Sequence, residues 1–267
     1  MVSSAGPEVA KVRTGPRLRY EIIEIPRSLT PGPDLAALLK LTKFFLTHRF
    51  DLVHSTTPKA GLLTALAAFA ARIPVRLHTF TGQPWVTLKG PMRWASRASD
   101  RLIGYLNTKC YADSGSQAAF LASEGILPAG KISVIGHGSL AGVDMERFDP
   151  DLQTTEMKRE IRQNLGIAPT STLLVFVGRI SPDKGMAELI DAFRGLLSAG
   201  YDVDLLLVGP HDRERGGISV FDLDDALQCP RIHYLGYAPQ PEKYLAISDI
   251  FCLPSYREGF GTVVIEA

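Results

Sequence analysis

VFVGRISPDKGMAELIDAF, residues 175–193, is the stretch that decides the fold. A buried strand ends at Gly178, Arg179 and Lys184 flank a turn, and a helix runs from Gly185 to Leu197. In an open parallel sheet, ligands sit outside the carboxyl ends of the strands. A helix start adds free N–H groups and the positive end of a dipole, which suits phosphate. Two cations there would neutralise a diphosphate, and Gly185 lets the backbone approach closely. The same residues also read more simply, as two surface cations beside a turn.

The alternation of strand and helix extends outward on both sides. Toward the C-terminus, strands are predicted at 173–177, 204–208, 232–235 and 250–253, with helices at 155–165 and 241–247. Toward the N-terminus, strands are predicted at 18–25, 52–55, 75–80, 109–112 and 132–135. Helices separate them at 34–48, 58–72 and 91–106, and Ser114 opens another with a Ser-x-x-Gln capping box completed by Gln117. Strand, helix, strand at this spacing gives a parallel, doubly wound sheet. Gly136, Gly138, Gly142 and Asp149-Pro150 interrupt the pattern, so the chain divides into domains 1–140 and 141–267. The charged, glycine-rich loop 210–217 reads as mobile. Both ends look cut. Residues 1–16 form a polar loop where a first strand should stand, and 262–267 begins a helix and stops.

With 267 residues, 45% hydrophobic and 21% charged, the composition is globular and excludes disorder, collagen and coiled coil. The longest apolar run, 60–71, is well short of the roughly 18 residues of a membrane span. Residues 1–10 lack the basic-then-apolar pattern of a signal peptide. Cys110, Cys229 and Cys252 have neither metal-ligand nor disulfide spacing, which fits a reducing cytoplasm. Residues 1–150 carry 18 Lys and Arg against 11 Asp and Glu, whereas 151–267 carry 11 against 17. A basic first module suits a phosphate-bearing substrate or the anionic inner face of a membrane, unless the two halves simply attract each other. There is no Lys/Arg run or aromatic–basic interleaving, so no nucleic-acid partner is predicted. Arg93, Arg97 and Arg101 recur every fourth residue. They form either a solvated helix face or a contact for anionic lipid.

A second motif is PSYREGFGTVVIEA, residues 254–267. A glycine-rich loop follows a strand end, Glu258 lies in the loop, and Glu266 lies about one turn into a helix starting near Thr262. Carboxylates near a helix start are stabilised by its dipole, which is a sufficient structural reason for both. The functional reading is that they bind hydroxyl pairs of a sugar or ribose. The N–H groups of Gly259, Phe260 and Gly261 would then face an anionic group.

Together these segments resemble the donor-binding domain of retaining GT-B glycosyltransferases of the family 4 type. That family carries Gly-Arg…Lys-Gly, here Gly178-Arg179 and Lys184-Gly185. It also carries Glu-x7-Glu around Gly-Phe-Gly, here Glu258, Glu266 and Gly259-Phe260-Gly261. VIGHGSLAGVDMERFDP resembles its interdomain stretch through Gly142, Val143, Asp144 and Phe148, although HGSLA is longer than the commonest form. FDLVHSTTPKAGLLTALAA and PVRLHTFTGQPW resemble the acceptor-side domain of its cell-envelope polysaccharide subgroup. The resemblance covers nearly the whole chain. It implies two Rossmann-like domains facing a cleft, both incomplete here: an acceptor-side domain without its first strand and helix, and a donor domain without its C-terminal part.

The resemblance implies transfer of a sugar from a nucleotide diphosphate sugar to a lipid-linked or polysaccharide precursor, with retention. Arg179 and Lys184 would hold the diphosphate and stabilise the leaving nucleotide. Glu266 would bind the ribose and Glu258 the transferred sugar. Gly178, Gly185, Gly259, Phe260, Gly261 and Thr262 would complete the donor pocket. The departing phosphate would accept the acceptor's proton. No cofactor and no metal are expected, since no Asp-x-Asp metal motif is placed on a strand end, and Asp222 with Asp224 form one only in a charged loop or short helix. The family's His-Gly pair is replaced by Thr81-Gly82. His78, three residues earlier, reads either as an acceptor-side group with them or as a core histidine. His54, Ser55, Thr56 and Lys59 would line the cleft or cap the next helix. A sugar-nucleotide epimerase of the same fold is the nearest enzyme rival, and Glu-x7-Glu argues against it. The rival of another class is a truncated remnant that binds a nucleotide without turnover. The lack of a GxGxxG turn after a strand argues against a dinucleotide-dependent dehydrogenase.

Overall fold

The computed structural model describes residues 1–5, 18–26, 29–139, 142–212 and 223–267. The readings of Asp222 and of loop 213–217 fall outside these residues. The chain divides into two compact units, Met1–Leu140 and Ala141–Ala267.

In the first unit β3 (Leu52–Ser55), β4 (Val75–Phe80), β5 (Lys109–Ala112) and β6 (Ile132–Val134) form a four-stranded parallel sheet in that order. The connections are α2 (Pro58–Ala70), α3 (Gly90–Leu106) and α4 (Gly115–Ser123). Proline stands in the first turn of α2 and α3, where its missing N–H costs nothing. Ser114 caps α4 by accepting from the Gln117 N–H at 3.1 Å. The Gln117 side-chain Oε1 accepts from the Asp113 N–H, one residue before the cap, so the capping box is displaced by one position.

Two expectations need correction here. The strand predicted at 18–25 is confined to β2 (Glu21–Ile22). Residues 1–16 are not wholly loop, since β1 (Val2–Ser3) pairs with β2 in a separate parallel ribbon. The alternating pattern of LRYEIIEI fits a longer strand, but a two-residue partner supplies hydrogen bonds for only part of it. α1 (Pro31–His48) then packs Ala37, Leu41 and Phe45 into a core with Leu63, Ala67 and Ala68 of α2.

The second unit holds β7 (Thr172–Val177), β8 (Val203–Val208), β9 (Ile232–Gly236) and β10 (Ile250–Phe251). They form one parallel sheet in the order β10-β7-β8-β9. Its helices are α5 (Thr155–Asn164), α6 (Met186–Ser198), α7 (Leu223–Ala226), α8 (Glu242–Leu245) and α9 (Thr262–Glu266). All six residues of β8 are buried, as a central parallel strand covered on both faces requires. One face packs Phe176, Leu205 and Leu207 against Ile190 and Phe193 of α6. The other packs Leu173, Val175 and Leu206 with Ile167 and Ile247.

Asp100 of α3 is 2% exposed and accepts from the Trp85 indole N–H at 2.7 Å. Burial pushes its carboxyl up to about 6, and the Trp85 bond offsets only part of this. The unfolded chain ionises Asp100 near its ordinary value, whereas the native chain holds the proton up to about 6. Native stability therefore falls as pH rises through that window, by about 3 kcal/mol. Asp100→Asn keeps an acceptor for Trp85 and removes the ionisation. Denaturant unfolding should show the variant gaining on the parent by about 2–3 kcal/mol between pH 4 and pH 7. A stability difference that does not change with pH would contradict this account of Asp100.

Candidate active site

Strand order locates the site. From β7 the chain moves outward to β8 and β9, then returns to the far side of β7 as β10. The order therefore reverses between β7 and β10, and such a switch point opens a crevice at the carboxyl ends of the strands. Both sequence motifs leave the sheet there. The β7 loop carries Gly178, Arg179, Lys184 and Gly185 into the start of α6. The β10 loop carries Glu258, Gly259, Phe260 and Gly261 into Thr262 and Glu266 of α9.

The two loops are fastened to each other by several contacts. Gly185 has φ 70°, and a Cβ built on it would lie 2.2 Å from the Pro254 carbonyl oxygen, so only glycine fits. The Tyr256 N–H donates to the Asp183 carbonyl oxygen at 3.2 Å. The Tyr256 hydroxyl donates to Glu188 in the first turn of α6. Lys184 and Glu258 form a direct ion pair.

Around this junction the cations alternate with carboxylates. Arg179 pairs with Asp212 at 2.7 Å and lies 3.7 Å from Asp183. Arg257 lies 3.4 Å from the same Asp183. The β7–β8 pairing continues past both strands, with Ile180 N–H on the Pro210 carbonyl and Asp212 N–H on the Ile180 carbonyl. This extension is what delivers Asp212 to Arg179. Glu266 is half-buried. Burial raises its carboxyl, Arg147 draws it back, and Glu242 pushes it up. Arg147 is in turn held by Glu242 at 2.8 Å.

The donor-side residues named from sequence thus lie on two adjoining loops, with Lys184 and Glu258 in contact. Asp183, Asp212 and Arg257 were not singled out. Asp183 and Arg257 lie inside the quoted motifs, but nothing in their spacing identifies them as partners. The second unit has elements that suit phosphate: clustered cations, and the 13-residue helix α6 with Gly185 at its N-cap. Diol binding would fall to Glu258 and Glu266.

In the first unit Thr81 and Gly82 follow β4, and the Thr81 hydroxyl donates to the Thr56 carbonyl oxygen. The acceptor-side reading of His78 is corrected, because its ring is 1% exposed and faces the core. Nδ1 meets the Ser55 hydroxyl at 2.9 Å, and the ring packs edge-on to Phe80. A Cβ at Gly61 of α2 would lie 2.5 Å from the ring, so the missing side chain there makes its room. Burial, aided by nearby His54, lowers the imidazole to about 4 and keeps it neutral. His54 meets Thr79 at 2.8 Å, and Lys59 pairs with Asp34 across α1 and α2.

Two units, each a parallel sheet covered by helices, define a protein of the GT-B fold class. The chain belongs to the glycosyl transferases. The family described as "Glycosyl transferase 4-like domain" matches residues 2–138, and "Glycosyl transferases group 1" matches residues 157–267. It is 32% identical over 92% of its length to the capsular polysaccharide biosynthesis glycosyltransferase CapM of Staphylococcus aureus, covering 63% of that protein. It is 26% identical over 90% of its length to the UDP-Gal:alpha-D-GlcNAc-diphosphoundecaprenol alpha-1,3-galactosyltransferase of Escherichia coli, covering 61%. Among solved structures, Anabaena Alr3699/HepE in complex with UDP superposes with a TM-score of 0.66 at 23% identity, over 93% of this chain and 64% of that one. The chain therefore spans a little over three-fifths of the length of these relatives.

Gly185→Ala should destabilise the protein by about 1–3 kcal/mol, because the methyl meets a carbonyl oxygen in a left-handed turn. Gly195→Ala, on the exposed side of α6 with nothing within 4 Å, should instead stabilise by about 0.5–1 kcal/mol. Denaturant midpoints of the two variants should move in opposite directions. A neutral Gly185→Ala would contradict the close approach.

Proposed function

We propose that this chain forms the catalytic portion of an enzyme that transfers a sugar from a nucleotide diphosphate sugar to a lipid-linked or polysaccharide precursor, with retention. The observation that carries the reading is the pairing of Lys184 with Glu258 beside Arg179 at the β7/β10 switch point. Phosphate oxygens compete for Arg179 and Lys184 as charge-assisted acceptors. When the diphosphate takes Lys184, Glu258 is released toward the hydroxyls of the transferred sugar. Glu266 receives the ribose hydroxyls. The N–H groups of Gly259, Phe260 and Gly261 meet the sugar or its phosphate.

As the bond from the anomeric carbon to phosphate breaks, negative charge grows on the leaving oxygen, and fixed cations there stabilise it most. That oxygen takes the proton of the acceptor hydroxyl as the new glycosidic bond forms on the same face. The chain positions the groups and needs no cofactor or metal for this step. Thr81 and Gly82 serve the acceptor side, with His78 packed behind them. A lipid-linked acceptor is supported by the Escherichia coli relative, whose name specifies a diphosphoundecaprenol substrate. Reaction at the cytoplasmic face of a membrane follows from the same reading. Among the described residues no helix is long and apolar enough to cross a membrane.

Arg179→Ala and Lys184→Ala should each remove a contact of about 1.5–3 kcal/mol and weaken nucleoside diphosphate binding at least tenfold. Calorimetric titration with UDP, ADP and GDP measures this and reads the base preference. Unchanged affinity in both variants would overturn the donor assignment. Binding without transfer would favour a nucleotide-holding role.

A further inference from the structure

Arg179 meets its carboxylate partner through the sheet rather than through its own loop. β7 and β8 keep pairing past their ends. The Gly178 N–H donates to the Val208 carbonyl oxygen, the Ile180 N–H to that of Pro210, and the Asp212 N–H to that of Ile180. A Cβ at Gly209 would lie 1.8 Å from the Gly178 carbonyl oxygen, so the two strand ends touch where a side chain would part them. Ile180 bridges to His211 and is buried in the core, and strand alternation leaves Arg179 and Asp212 on the other face. There Arg179 donates from Nη1 to Asp212 at 2.7 Å, with Nη2 3.7 Å from Asp183.

Asp212 and Glu258 each pair with a cation of the site, but they are held differently. The Asp212 side chain is 11% exposed, and its own N–H is fixed to the neighbouring strand end. The Glu258 side chain is 29% exposed and lies on a glycine-rich loop. A carboxylate fixed in a strand extension stays where it is when a ligand arrives. Its arginine partner is a planar fork with five N–H donors, so one edge can be tied to the protein while another meets phosphate. The Arg179 side chain keeps 36% exposure beside this tie.

We propose that Asp212 is a positioning residue, which ties one edge of the Arg179 guanidinium so that its free edge meets the outer phosphate of a nucleoside diphosphate. This rests on the reading that Arg179 binds the donor diphosphate. Without Asp212 the guanidinium is left to Asp183, where Arg257 already stands 3.4 Å away, and the fork turns from the phosphate. Asp212 thus acts in the opposite sense to Glu258. Removing Glu258 frees a cation for phosphate, whereas removing Asp212 misplaces one.

Calorimetry with UDP, ADP and GDP, each beside its monophosphate, reads the preference for the outer phosphate. Arg179→Ala should cut that preference at least tenfold. Asp212→Ala should cut it by about fivefold, and Asp212→Asn should hold it within about twofold, because the amide oxygen still accepts from Nη1. Once Arg179 is alanine, adding Asp212→Ala should cause no further loss and should recover some affinity, since an uncompensated carboxylate leaves the site. In the 15N-labelled chain, the Arg179 terminal N–H groups should give separate signals in the parent and in Asp212→Asn, and averaged ones in Asp212→Ala. Asp225→Ala, which breaks the remote pair with Arg194, should leave the preference unchanged.

An intact preference in Asp212→Ala, beside its loss in Arg179→Ala, would overturn the positioning role and leave the donor reading standing. An intact preference in Arg179→Ala would overturn the donor reading and the positioning role together. Equal weakening by Asp212→Ala with and without Arg179 would mean a purely structural effect. Tighter binding of the diphosphate by Asp212→Ala would make Asp212 a competitor for Arg179. Either result would overturn the proposal.

Discussion

The contact of Gly185 with the carbonyl of Pro254 is the constraint on which the candidate site depends. A sheet that reverses order between β10 and β7 brings two loops to the same edge, but adjacency alone leaves them loose. Here one backbone closes on the other at a distance that no Cβ permits. Tyr256 then reaches Asp183 and Glu188, and Lys184 meets Glu258. Positions far apart in sequence become one cluster because a single residue has no side chain.

That cluster is electrically balanced. Arg179, Lys184 and Arg257 are interleaved with Asp183, Asp212 and Glu258. Bringing only the three cations together would set like charges side by side, and the carboxylates remove that cost. Under the proposed function, a diphosphate entering such a site would exchange partners with groups already held in place. The exchange would also couple two recognition events, because the carboxylate displaced from Lys184 is the one proposed for the sugar.

Much of this organisation is legible in the sequence. The runs at 52–55, 75–80 and 109–112 and the helices between them match the described elements, because a buried parallel strand is a short apolar run and a covering helix has its own period. The place of Gly178, Arg179 and Lys184 at the end of β7 is legible for the same reason: a strand end, a glycine and a cation mark the edge of a sheet. The partners of those positions are not legible. Asp212 reaches Arg179 only because β7 and β8 continue pairing beyond their ends, and spacing along the chain does not encode that. The orientation of His78 depends on Gly61 of a different element. The inward turn of Arg97 depends on Glu124, 27 residues away. The brevity of β2 is set by β1, whose two residues lie in a stretch that reads as loop.

The central claim is that Glu258 exchanges Lys184 for the sugar when the donor binds. The most direct measurement compares wild type and Glu258→Gln by calorimetry, with a nucleoside diphosphate and with the matching nucleotide sugar. Removing the competing carboxylate should tighten the bare diphosphate severalfold and abolish any added affinity the sugar gives. If Glu258→Gln weakens the bare diphosphate, or leaves the advantage of the sugar intact, Glu258 is not the exchanged partner and the account is wrong.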